Sequence, residues 1–245
     1  ESVAFNNLRT GQVDYLRSVL AEQLPILKSD PNLTYLTRRW SVITGVYLNT
    51  KKAPFDNKAL RQAVVLALDR EGMVSTLGET VSPVDSILDP KTWAYDGKAG
   101  VYPARDLAKA KAKLAEAGYP SGLKVKFLAY FDSDYHRKLT QMVQGNLAEI
   151  GLELEMEVVA GAVRATRFLA GDYLIATSST SAKTPDPGYT LRYYHSQSSL
   201  TGNVGFYSNP RVDQLLDKAG SIYDQKERAA LYQEAARIIV DDAPF

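Results

Sequence analysis

Residues 45–74 read GVYLNTKKAPFDNKALRQAVVLALDREGMV. The apolar run that begins at Val46 stops at Asn49 and the breaker-rich Thr50-Lys51-Lys52-Ala53-Pro54, as a short strand does when it leaves one structural unit. Asp56 then stands where an N-cap belongs, with Phe55 before it and Leu60 four residues on. The two apolar groups can close the helix entry as a staple while the carboxylate satisfies a free backbone N–H. These signals start a helix at Asn57. Leu60, Ala63, Val64, Ala67 and Leu68 recur at three- and four-residue spacing on one face, Asp69 is placed to cap a second short helix, and Gly78 to end it. The order is strand, turn, helix, helix.

Outward from that stretch the chain alternates strands and helices, the pattern of an α/β fold. Residues 124–130 read as a strand, 134–150 as a helix with Leu139, Val143, Leu147 and Ile150 on one face, and 152–158 as a strand in which apolar residues alternate with Glu153, Glu155 and Glu157. A right-handed βαβ crossover follows, in which Lys124 and Lys126 can face the glutamates if the strands are neighbours. Asp106 is explained as a helix cap. A strand near 173–178, a helix begun by Asn209 and Pro210, and a long helix over 225–240 complete the second half. Asp224 and Glu227 give that last helix a capping-box pattern, and Leu231, Ala235, Ile238 and Ile239 its buried stripe. Before the opening stretch, residues 1–43 read as a helix ending at Gly11, a short strand at 13–16, a helix at 21–28 and a strand from Leu33 to about Trp40.

Composition is that of a globular protein: 245 residues, 45% hydrophobic and 23% charged. A net charge of +1 with interspersed signs gives no field for nucleic acid or an anionic membrane. No apolar run approaches the roughly 18 residues that a membrane span needs. The absence of cysteine removes zinc ribbons, redox motifs and disulfides together, and it leaves the compartment open. His136 and His195, far apart and outside any paired-histidine helix, read as surface or packing residues, and no metal site or cofactor is expected. There is no G-x-S-x-G elbow and no phosphate-cradling glycine loop, so the residues give no enzymatic constellation.

The opening stretch resembles the family 5 extracellular solute-binding proteins, the dipeptide, oligopeptide, opine and nickel receptors of ABC importers. The resemblance rests on Leu48-Asn49, Ala53-Pro54-Phe55, Arg61-Gln62-Ala63 and Ala67-Leu68-Asp69-Arg70. It continues in order through DLAKAKAKLAEAGYP at 106–120, Gly171-Asp172-Tyr173, Pro185-Asp186-Pro187, Tyr207-Ser208-Asn209-Pro210, Arg228 and Asp242-Ala243-Pro244. It implies a type II periplasmic-binding-protein lobe, a mixed sheet flanked by helices, over residues 44–245, with residues 1–43 as the incomplete tail of a first lobe. It also implies a ligand captured in an interlobe cleft by a monomer, delivery to the transmembrane subunits of a permease, and a periplasmic or lipid-tethered extracellular location. A cytosolic α/β enzyme and a peptide-holding chaperone are the competing readings.

Residues 178–188, SSTSAKTPDPG, follow a strand, are rich in hydroxyls and are stiffened by two prolines, which marks a held loop beyond a strand end, where α/β folds bind ligands. In the peptide receptors the matching segment carries a tryptophan that stacks on ligand and an aspartate that holds the peptide ammonium. Here Thr180 and Lys183 stand at those places, while Asp186-Pro187 keeps the acidic-Pro pair. A cation in place of an anion reverses the ligand charge that can be buried, so the expectation is an anionic group near Lys183 with Ser179, Thr180 and Ser181 donating hydrogen bonds. A solvated lysine in a loop of variable length is the plainer alternative. Trp40 and Tyr130 are further cleft candidates, balanced between ligand contact and packing, and Phe131 is expected in the core.

Overall fold

The computed structural model describes residues 2–17, 19–36, 41–78, 81–131, 133–182, 186–198, 202–203 and 205–244, with backbone alone at 2, 21, 41 and 180–182. Four strands, β1 (Ser41–Leu48), β2 (Leu123–Ala129), β3 (Leu152–Val158) and β4 (Ile175–Ala182), form one sheet in the order β1-β4-β2-β3. β1 runs antiparallel to β4, while β4, β2 and β3 are parallel, so the sheet is mixed. The β2–β3 register sets Lys124 opposite Glu153 and Lys126 opposite Glu155, the pairing that the alternation anticipates.

Around it run α1 (Ser2–Arg9), α2 (Leu24–Ser29), α3 (Lys58–Ala67), α4 (Arg70–Leu77), α5 (Leu107–Glu116), α6 (Asp134–Ala148), α7 (Gly161–Leu169), the short α8 (Pro187–Leu191), α9 (Pro210–Ser221) and α10 (Gln225–Asp242). One face of the sheet, with Val46, Leu48, Val125, Phe127 and Ile175, packs with α3 to α6 in the largest core. Each fully buried aliphatic side chain there is worth on the order of 2 kcal/mol in transfer free energy. The other face presents Tyr47, Leu128 and Ala176 to Phe168 of α7 and to Tyr173. A further core joins α8, α9 and α10 to Ile87, Leu88 and Ala94 of the long connection between α4 and α5.

Several boundaries differ from expectation. The cap of α3 is Asn57, whose Oδ1 accepts from the N–H groups of Ala59 (2.9 Å) and Leu60 (3.4 Å). The turn before it is one residue longer than the sequence signals suggest, and Asp56 instead contributes its carbonyl to Arg61. Phe55 and Leu60 are nonetheless both fully buried in one core. Asp69 caps α4 at Gly72, and Gly78 closes it at φ 90°, a conformation that a side chain would strain. Residues 13–16 are not a strand, and Tyr15 among them is exposed, since an isolated strand finds no ladder to join. Residues 33–36 are irregular, and the rest of the strand expected there lies outside the described residues. The buried stripe of α10 is Tyr232, Ala235, Ala236 and Ile239, rotated from the expected one, with Leu231 and Ile238 at its margins.

Candidate ligand-binding rim

β2, β3 and β4 are parallel, so their C-terminal ends lie at one end of the sheet, with the N-termini of α6 and α7, which follow β2 and β3. In α/β sheets this is the end at which ligands bind. β4 supplies the rim's hydroxyls. It is longer than expected because β1 begins at Ser41 and offers it a partner along all eight residues. The segment that starts at Ser178 is therefore not a loop at first: residues 178–182 are strand. Ser179 is exposed, and its Oγ lies 2.9 Å from Thr44 Oγ1 across the ladder. Thr180 and Ser181 occupy the register positions opposite Ile43 and Val42.

Two residues further in, Thr177 connects the strand to both flanking helices. Its Oγ1 lies 3.4 Å from Thr140 Oγ1 of α6, and its carbonyl accepts from Arg164 Nη2 of α7 at 2.6 Å. The Arg164 guanidinium also sits 4.2 Å over the Phe168 ring. Burial pushes the Tyr47 and Tyr173 phenols well above their ordinary value, with Arg164 pulling back against it, so both stay neutral. Tyr130 is half-buried with its ring against the start of α7, where a Cβ on Gly161 would stand 2.8 Å from Tyr130 Cε2. Phe131, expected in the core, is 37% exposed, since β2 has ended and its side chain has left the sheet's packed face.

Asp186, the fourth residue after β4, caps α8, its Oδ1 accepting from Gly188 N–H at 2.8 Å and its Oδ2 from Arg228 Nη2 at 2.9 Å. Both oxygens are thus engaged by the protein. The structure brings Tyr130 and Ser179 to the same end of the sheet, and Asp186 caps α8. Trp40 and Lys183 lie outside the described residues. Thr44, Thr140, Arg164 and Thr177 join the rim without having been singled out from sequence. Neither IATSSTSA nor SVITGVYL alternates in hydropathy, so no local pattern singles out Thr44 and Thr177; the pairing of the two strands does. On the opposite side of β1, Ile43 lines a small pocket with Val84, Ile87, Tyr102, Thr190, Tyr193 and Tyr194. Among the described residues no group of three or more histidine, aspartate or glutamate side chains is arranged to hold a metal ion.

The profile of the bacterial extracellular solute-binding proteins, family 5 Middle, matches residues 1–201. The chain belongs to that family. As a family 5 solute-binding protein it is 31% identical over 243 residues to the probable D,D-dipeptide-binding periplasmic protein DdpA of Escherichia coli K12, covering 97% of this chain and 46% of that protein. Its fold superposes with a TM-score of 0.88 and 29% identity on the binding protein AgaA of A. tumefaciens R10, solved in complex with agropinic acid, covering 99% of this chain and 50% of the other. The Helicobacter pylori periplasmic binding protein DppA, solved with the peptide STSA, gives a TM-score of 0.83 at 28% identity, over 99% of this chain and 48% of its own. The chain spans about half the length of the curated relatives it matches. Those relatives are named as D,D-dipeptide-binding and heme-binding proteins.

Proposed function

We propose that this chain forms the second lobe, with residues 1–43 as part of the first, of the substrate-binding component of an ABC importer. In this reading it captures a peptide-like or small polar organic solute in a cleft between lobes, outside the cytoplasm, and delivers it to a membrane permease. The observation that carries the reading is the family match over a rim of the expected type: an exposed serine hydroxyl, a half-buried tyrosine and two helix N-termini at the C-terminal ends of parallel strands. Closure follows from contacts that exist only when ligand bridges the lobes, so ligand shifts the population toward the closed state.

Lys183 sets the charge of the solute. Where the resemblance places an aspartate for an ammonium group, this chain supplies a cation, which suits a carboxylate or another anion. Agropinic acid is the ligand of the AgaA structure, and the peptide STSA that of DppA. Native mass spectrometry of the complete receptor purified from its own cells identifies the carried solute, and calorimetry with that solute tests the lysine. Lys183→Glu is expected to weaken binding by at least about tenfold, equivalent to one lost charge-assisted contact. Unchanged affinity would remove Lys183 from the site.

A further inference from the structure

We propose that Gly161 is a positioning residue of the binding rim. With no side chain of its own, it lets the Tyr130 ring lie against the start of α7 and so holds the phenol hydroxyl where it donates to an acceptor oxygen of the solute, an amide carbonyl or a carboxylate. This rests on the reading of these strand ends as one wall of the cleft. The two residues meet because β2 and β3 end side by side. Ala129 closes β2, Val158 closes β3, and the Val159 N–H donates to the Ala129 carbonyl at 3.1 Å, so the ladder reaches the last residues before the rim. Tyr130 comes next on one side. On the other, Ala160 leads directly into Gly161, the first residue of α7.

The backbone at 161 does not require glycine, because its φ is not positive. A glycine there also gives up more conformational entropy on folding than an alanine would. The ring is what requires it. The three atoms nearest to a Cβ at 161 all belong to Tyr130: Cε2 at 2.8 Å, Cζ at 3.0 Å and Oη at 3.1 Å. They are the far end of a side chain, so the fold accepts an alanine and the ring yields, by roughly half an ångström or more, to reach ordinary contact. The hydroxyl moves with it. Tyr130 is half-buried, and among the described residues its hydroxyl has no hydrogen-bond partner. No described side-chain polar atom that is sealed from solvent lacks a partner, so this hydroxyl reaches solvent at the rim. A half-buried phenol with its O–H unused is completed by an acceptor oxygen brought in by the solute.

The test uses the complete receptor and measures affinity by calorimetry, for the solute that co-purifies with it or for trialanine where none does. Gly161→Ala is expected to weaken binding by about tenfold with Tm within about 2 °C of wild type. Tyr130→Phe, which keeps the ring and removes the hydroxyl, weakens it by about fivefold. In a Tyr130→Ala background, Gly161→Ala changes affinity by less than about twofold, because the group that it displaces is gone. A crystal structure of Gly161→Ala shows the Tyr130 ring moved from the start of α7, with the backbone of β2 and β3 unchanged. Wild-type affinity in Gly161→Ala or in Tyr130→Phe, or an equal loss from Gly161→Ala with and without the Tyr130 ring, overturns the proposal. If the wild-type receptor neither carries a solute nor binds trialanine, the proposed function fails instead, and the place of the ring in that crystal structure alone decides whether Gly161 positions Tyr130.

Discussion

Asp242 sits where the end of α10 meets the start of α3. Its Oδ2 accepts from Tyr207 Oη at 2.6 Å and Asn209 Nδ2 at 2.8 Å, its Oδ1 pairs with Lys58 at 3.0 Å, and its carbonyl accepts from Arg61 Nε at 2.9 Å. Arg61, 7% exposed, carries the knot on to the carbonyls of Phe55 and Asp56. Burial alone would raise the Asp242 pKa, but the donors from Tyr207, Asn209 and Lys58 outweigh it and the carboxyl is held below its usual range. A depressed folded-state pKa means stability that is present above the unfolded value, about 3.9, and lost as pH falls through the folded one. Asp242→Asn should therefore cost about 1–3 kcal/mol at pH 7, and its deficit against wild type should shrink as urea denaturation is repeated below about pH 4. A deficit constant down to pH 2 would mean that the charge is not what the knot uses. The cap of α3 allows a second residue-level test by chemical denaturation. Asn57→Ala should cost about 1 kcal/mol and Asp56→Ala less than about 0.5 kcal/mol, the reverse of what the position of Asp56 suggests on paper.

Helices were legible in the sequence where a cap announces them: Asp69, Asp106, Asn209 and Asp224 all cap the helices that follow them, whereas α7, entered through Ala160 with no side-chain cap, was not foreseen. Strands were legible where they alternate, as in β3, whose bounds fall where the glutamates put them. They were not where their identity is settled by a partner far away in sequence. Ser178 to Ala182 reads as a hydroxyl-rich loop, and nothing local opposes that; it is strand because β1, more than a hundred residues earlier, lies beside it. The same reason hid Thr44 from the candidate site, while Tyr130 could be found because it follows a strand with a signal of its own. A proline scan separates loop from strand. In an antiparallel pair, consecutive amides point to opposite sides, so of Ser178→Pro and Ser179→Pro one removes a donor to β1 and should cost on the order of 1–3 kcal/mol, and the other less. Small effects at both positions would return the segment to the loop.

At the scale of the molecule, apolar exposure is unevenly distributed. Val3, Val13, Tyr15, Ile26, Tyr35 and Leu36 are all exposed within residues 2–36, with Leu36 at 95%, whereas β2 and α3 expose no large apolar side chain. At the rim, Ser179, Phe131 and Val158 are exposed at one end of the sheet. Small-molecule sites bury about 70–90% of their ligand, and a single wall can cover roughly half of that. The contacts that drive closure are absent altogether when only one lobe is present. The 245-residue chain alone should therefore bind the solute carried by the complete receptor at least about 100-fold more weakly, a loss of about 2.8 kcal/mol. Isothermal titration of the two proteins side by side measures the difference, with circular dichroism first establishing that the shorter chain is folded. Equal affinities would place the whole site on this lobe and end the clamp reading, whatever the family does elsewhere.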